Sequence, residues 1–67
     1  MTKKQVVRKL QEHFGAKIDL WYDRSAASWV FVGECTENWD AKYSCICRLS
    51  DLTPAGWVAV AEALAGN

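Results

Sequence analysis

The sequence predicts an α+β domain of order α-β-β-β-α, in which two helices cover one face of a three-stranded antiparallel meander. Two terminal segments repeat apolar residues at helical spacing, and three segments between them alternate apolar and polar residues. The connections between the alternating segments are short, which favours antiparallel neighbours. A chain of 67 residues suits one domain, which we place over residues 1–67.

The first segment predicts a helix that begins after Thr2 and stops at Gly15. Thr2 and Gln5 have the spacing of a capping box, and glycine readily adopts the left-handed conformation that ends helices. The apolar stripe consists of Val6, Val7, Leu10 and Phe14. The outer face is basic because it carries Lys4, Arg8 and Lys9.

The three alternating segments predict strands over residues 17–23, 29–35 and 42–49. In the first strand, Ile18, Leu20 and Tyr22 share one face, which we expect to lie under the helices. Trp21 points the opposite way, together with Lys17, Asp19 and Asp23. Val30, Val32, Ile46 and Arg48 are candidates for the same outward face on the neighbouring strands.

The final segment predicts a second helix. Thr53 is a suitable N-cap and Pro54 a suitable first helical residue, while Leu52 and Trp57 have hydrophobic-staple spacing. Gly66 ends the helix. The predicted core stripe consists of Trp57, Val60, Ala61 and Leu64.

The predicted outer face of the second helix is unusually poor in charge. Gly56, Ala59 and Ala63 lie opposite its core stripe, and small residues at this spacing let another backbone approach closely. One hypothesis is therefore self-association through these residues. The alternative is an alanine-rich helix that reflects only helix propensity.

Composition narrows the function classes. An apolar content of 51% is too high for a disordered chain. The sequence contains no run of about 18 apolar residues, the length that a membrane-spanning helix needs. The first residues lack the apolar core of a secretion signal, so we expect a cytoplasmic protein. Net charge is zero, with six basic and three acidic residues in 1–33 and two basic and five acidic residues in 34–67. This balance argues against a strongly basic nucleic-acid binder and an acidic DNA mimic.

The cysteines and the single histidine do not form a recognisable site. Cys35, Cys45 and Cys47 are an odd number and predict reduced, buried thiols. With His13 they suggest zinc, but their spacing differs from that of paired zinc ligands. The sequence also offers no assignable nucleophile–base pair or glycine-rich phosphate loop. We therefore expect neither catalysis nor a metal or other cofactor.

Surplus tryptophan is the main functional indication. We expect Trp21 and Trp39 to lie outside the helix-covered core, and exposed tryptophans are typical interface anchors. The competing interpretation is local packing on the back of the sheet. The predicted partner-binding residues are Trp21, Asp23, Arg24, Trp39 and Arg48, on the open sheet face and its loops.

A second hypothesis is nucleic-acid binding through the basic first helix, with Lys4, Arg8 and Lys9 on phosphates. A solvated helix face is the simpler interpretation of these residues.

The element order resembles that of the double-stranded-RNA-binding domain, and the run Val60–Ala65 is similar to that family's alanine-rich last helix. The family's phosphate-gripping lysines at the start of this helix are missing, since Asp51–Trp57 contains none. Its Gly-Pro-x-His loop is also missing, because Arg24–Ser28 stands there. The resemblance implies a shared topology without the RNA site.

In size, compactness and surplus of interface-type residues, the chain also resembles the small anti-defence proteins of phages and mobile elements, such as anti-CRISPR proteins. That resemblance implies a stoichiometric inhibitor or modulator, monomeric or homodimeric, that binds a larger host protein complex.

Overall fold

The structure, a computed structural model, describes residues 2–37, 39, 42–44 and 47–66. Its elements confirm the predicted order α-β-β-β-α and the α+β class. They are α1 (Lys3–Phe14), β1 (Ile18–Asp23), β2 (Ser28–Gly33), β3 (Lys42–Tyr43), a 3-10 helix (Leu49–Asp51) and α2 (Pro54–Ala65).

Both helices begin and end where their capping residues predict. The Thr2 hydroxyl accepts a hydrogen bond from the Gln5 backbone N–H at 3.3 Å, and the Gln5 side chain accepts one from the Thr2 N–H at 2.9 Å. Gly15 is left-handed at φ 65° and donates its N–H to Gln11. At α2, the Thr53 hydroxyl accepts from the Gly56 N–H at 3.0 Å, which satisfies one free donor of the first turn.

The three strands form an antiparallel sheet of order β1-β2-β3, which confirms the meander. Its register places Trp21 opposite Val30, and Val30 opposite Lys42. Asp19 pairs with Val32. Since side chains on paired residues share a face, these five residues lie on one side of the sheet.

The core lies on the other side, between the sheet and the helices. Its fully buried members come from both helices and from β1 and β2, so one cluster joins these elements. They are Val6, Leu10, Ile18, Leu20, Phe31, Trp57 and Ala61. The predicted stripe residues Val7, Phe14, Val60 and Leu64 are partly buried against them.

The third strand is shorter than predicted. It ends at Tyr43, and Ser44 and Cys47 lie outside any strand, while Cys45 and Ile46 fall outside the described residues. In this segment, Trp29 Nε1 donates to the Cys47 carbonyl at 3.0 Å, and Trp57 Nε1 donates to the Leu49 carbonyl at 2.8 Å. Both carbonyls thus accept hydrogen bonds from tryptophans that pack in or against the core.

The second strand also stops early, at Gly33 instead of Cys35. A Cβ at Gly33 would overlap the carbonyl oxygen of Lys17, so this position requires glycine. The Thr36 hydroxyl then bonds both the N–H and the carbonyl of Gly33, and the Glu34 N–H donates to Lys17 at 3.1 Å. The chain consequently turns away from the sheet.

Replacing Trp57 by alanine should unfold most of the protein. Trp57 is fully buried, and truncation of a buried tryptophan costs about 3–5 kcal/mol, comparable to the whole stability of a domain this small. Urea unfolding followed by circular dichroism measures the loss. Trp57→Phe keeps most of the apolar volume but loses the hydrogen bond to Leu49, so its stability should lie between those of wild type and Trp57→Ala. A wild-type unfolding midpoint for Trp57→Ala would contradict this account.

Candidate functional site

The side of the sheet away from the helices, here called the open face, exposes a small apolar patch. Trp21 keeps 46% of its surface exposed and Val32 keeps 40%, and no other large apolar residue in the described part of the chain is exposed. Val30, which pairs with Trp21 and precedes Val32 by two residues on β2, is half-buried. The prediction that Trp21 points away from the core is thus confirmed.

Charged residues surround this patch. Strand alternation places Asp19 and Asp23 on the open face along β1, and the same alternation extends to Lys17, the residue before the strand. Lys42 lies in the same row as Trp21 on β3. A shallow depression of about 340 Å³ adjoins the apolar patch. It is lined by Gln11, Lys17, Ile18, Asp19, Val32 and Gly33.

Asp19 occupies one of the backbone groups at the outer edge of β1, the edge that faces away from β2. The Glu34 N–H reaches the Lys17 carbonyl from the β2 side, so the backbone groups of Ile18 and Leu20 point away from β2. The Leu20 N–H donates to Asp19 Oδ1 at 2.8 Å, and Gln11 Nε2 donates to the Ile18 carbonyl at 3.3 Å. These bonds occupy edge groups that an added strand would need.

Asp23 organises the turn between β1 and β2. Its Oδ1 accepts hydrogen bonds from the Ser25 N–H at 3.0 Å, the Ser25 hydroxyl at 2.7 Å and the Ala26 N–H at 3.4 Å. The Ser25 hydroxyl, then these N–H groups and the charge of Lys42, lower the pKa of Asp23 against the opposing effect of burial. Arg24 is exposed in the same turn.

Trp39 does not lie where the sequence analysis placed it. Its ring is half-buried against the core, 5.0 Å from the Phe14 ring and 6.3 Å from the Phe31 ring. The expectation that Trp39 lies on a loop away from the helices is therefore wrong. Phe14 at the end of α1 and Phe31 on β2 present aromatic surface at this end of the core, and Trp39 packs on it.

Arg48 is also displaced from its predicted position. It is exposed but belongs to no strand, and its N–H donates to Asp51 Oδ2 at 2.9 Å at the start of the 3-10 helix. The predicted partner-binding set therefore separates. Trp21, Asp23 and Arg24 remain together along β1 and its turn, while Trp39 packs against the core and Arg48 lies outside the strands.

Sequence reasoning did not include Lys42 among the site residues. The alternation along the third predicted strand indicates which face Lys42 is on, but its position in the row of Trp21 depends on the cross-strand register.

The basic residues of the alternative hypothesis lie on a different surface. Lys4, Arg8 and Lys9 are exposed on α1, on the helical side of the domain. Nearby, His13 Nε2 is 2.6 Å from Glu62 Oε1, which joins α1 to α2. A groove of about 260 Å³ between the helices is lined by Lys9, Glu12, His13, Ala55 and Val58.

The proposed self-association face is only partly formed. Ala59 and Ala63 are exposed, but Gly56 is half-buried. A Cβ at Gly56 would lie 3.3 Å from the Thr53 hydroxyl oxygen and 3.4 Å from a methyl carbon of Leu52. Gly56 thus packs closely on the residues just before α2, and self-association through Gly56, Ala59 and Ala63 stays a prediction.

Cys35 and Cys47 are half-buried against the core, and Cys35 is a free thiol. Cys45 lies outside the described residues. Within the described ranges, no three His, Cys, Asp or Glu side chains are grouped to hold a metal ion. No helix in that part of the chain combines the length and apolarity that crossing a bilayer requires.

Comparison with protein-family models, with curated proteins and with solved structures gives no match to this chain.

The Asp23 turn should make stability depend on acidic pH. The pKa of Asp23 is lowered in the folded state. Asp23 therefore stabilises the fold at pH values above the pKa that it has in the unfolded chain, and this contribution is lost as the pH falls below about 4. Urea unfolding at pH 5, 4, 3 and 2 should show a steeper loss for wild type than for Asp23→Asn. Ser25→Ala, which removes the main donor, should also flatten the profile; parallel curves for all three proteins would contradict this assignment.

Proposed function

We propose that this chain is a non-catalytic protein-binding domain whose open face, centred on Trp21, docks on a protein partner. Resemblance to the small anti-defence proteins suggests that binding is stoichiometric and inhibits or modulates a larger host complex in the cytoplasm.

The exposure of Trp21 is the observation that supports this proposal. Trp29, Trp39 and Trp57 all pack in or against the core, whereas Trp21 lies mid-strand on the opposite face. Beside it, Val32 exposes a second large apolar side chain. Tryptophan on a surface patch with a polar rim is the usual composition of an interface anchor.

The edge of β1 favours docking on the face over strand addition. The Asp19 carboxylate and the Gln11 amide occupy the backbone groups of Leu20 and Ile18. An incoming strand would have to displace both bonds before pairing there. A partner that packs on Trp21, Val30 and Val32 displaces neither.

Truncation of Trp21 should abolish partner capture without unfolding the domain. Tagged wild-type protein, expressed in its native host, should retain a protein partner at fixed stoichiometry. Trp21→Ala should weaken binding by about 2 kcal/mol or more, roughly 30-fold, and its circular dichroism should match wild type because the side chain lies outside the core. Quantitative mass spectrometry of the captured material measures the ratio.

Ala55→Glu is a suitable control for this experiment. Ala55 is exposed in the first turn of α2, where a carboxylate suits the helix dipole. This variant should capture the partner like wild type. Equal capture by Trp21→Ala would refute the surface assignment, and nuclease-sensitive capture lost in Arg8→Glu would favour the nucleic-acid alternative.

A further inference from the structure

The acidic residues on the open face are already engaged by the protein itself. Asp19 Oδ1 accepts from the Leu20 N–H and lies 3.5 Å from Lys3 Nζ. Asp23 Oδ1 accepts three hydrogen bonds from Ser25 and Ala26. Both carboxylates consequently have hydrogen-bond donors within the chain.

The lysines of this face are available for intermolecular contacts. Lys17 and Lys42 are exposed, and within the described residues neither forms an ion pair at salt-bridge distance. Lys42 acts on Asp23 only as a nearby charge. Within the described residues, the two lysines therefore have no carboxylate at salt-bridge distance, although Lys17, Lys42, Asp19 and Asp23 together carry no net charge.

The two lysines flank the apolar patch at different distances. Lys17, the residue before β1, precedes Trp21 by four residues, which corresponds to about 13 Å of extended chain. Lys42 lies two strands away in the same row, about 10 Å from Trp21. Lys17 also lines the depression beside Val32, which gives room for a side chain that reaches its ammonium group.

We infer that the open face recognises an acidic protein segment. An apolar side chain of this segment packs on Trp21, Val30 and Val32, and flanking Asp or Glu residues pair with Lys17 and Lys42. This inference rests on the proposed function and specifies the chemistry of its partner.

A peptide segment fits this surface better than a nucleic acid does. Two valines contribute apolar contact area, whereas single-stranded nucleic-acid sites rely on aromatic stacking for successive bases. Trp21 is the single aromatic residue on the described open face.

A displayed library of random 12-residue peptides, selected on the immobilised wild-type domain, tests the inference. The enriched peptides should share an apolar residue flanked by Asp or Glu. Synthetic copies should lose affinity about 5-fold or more for the Lys17→Gln/Lys42→Gln protein, and on raising NaCl from about 50 to 500 mM. Ala55→Glu, which also makes the protein more negative, should bind like wild type.

Exchanging the charges of peptide and protein distinguishes specific ion pairs with Lys17 and Lys42 from general electrostatic attraction. Peptides with lysine in place of the acidic residues should fail on wild type and recover binding on Lys17→Glu/Lys42→Glu. Fluorescence anisotropy measures each affinity, and circular dichroism confirms that the variants fold.

The outcomes distinguish this inference from the proposed function. The acidic-segment inference alone would be overturned if the selected peptides need Trp21 but bind the lysine variants normally. It would also be overturned if the selected peptides are not enriched in Asp or Glu. Peptides indifferent to both Trp21→Ala and the lysine variants would overturn the docking surface itself. Trp21-dependent binding of a 20-nucleotide thymidine oligonucleotide, with no peptide enriched, would replace the protein partner by a nucleic acid.

Discussion

The packing around the Trp57 indole is the interaction on which the rest of the structure depends. Its ring lies 5.1 Å from Trp29, 6.3 Å from Phe31 and 6.1 Å from Tyr43, so it connects α2 to two strands. Its Nε1 also binds the Leu49 carbonyl at 2.8 Å. A domain of 67 residues has little other apolar area to bury, and concentrating aromatic contacts around one side chain compensates for its small size.

This arrangement concentrates the core on the helical side of the sheet and leaves the other face uncovered. On the side of β1 that faces the helices, Ile18 and Leu20 are fully buried and Tyr22 is half-buried, while Trp21 on the opposite side is almost half exposed. Neither described helix covers it, because both pack on the other side of the sheet. The open face is therefore a consequence of how these two helices and the single sheet pack.

Local sequence signals were sufficient for most of the fold. Caps at Thr2, Gly15 and Thr53 fixed the helix ends, since each acts within four residues of the chain. Strand alternation correctly oriented Trp21. The same local reasoning failed for Trp39, because its polar neighbours suggested an exposed loop, whereas Phe14 and Phe31, distant in sequence, provide its packing surface.

By itself, the sequence determined the element order, the helix boundaries and the direction in which Trp21 points, since these depend on short-range periodicity and capping. Only the tertiary structure decided that the third strand stops at Tyr43 and that Lys42 lies in the row of Trp21. It also revealed that Asp19 and Asp23 are occupied by donors of the same chain. The physical reason is that strand register and hydrogen-bond partners are set by contacts between separate elements, which spacing along one segment does not encode.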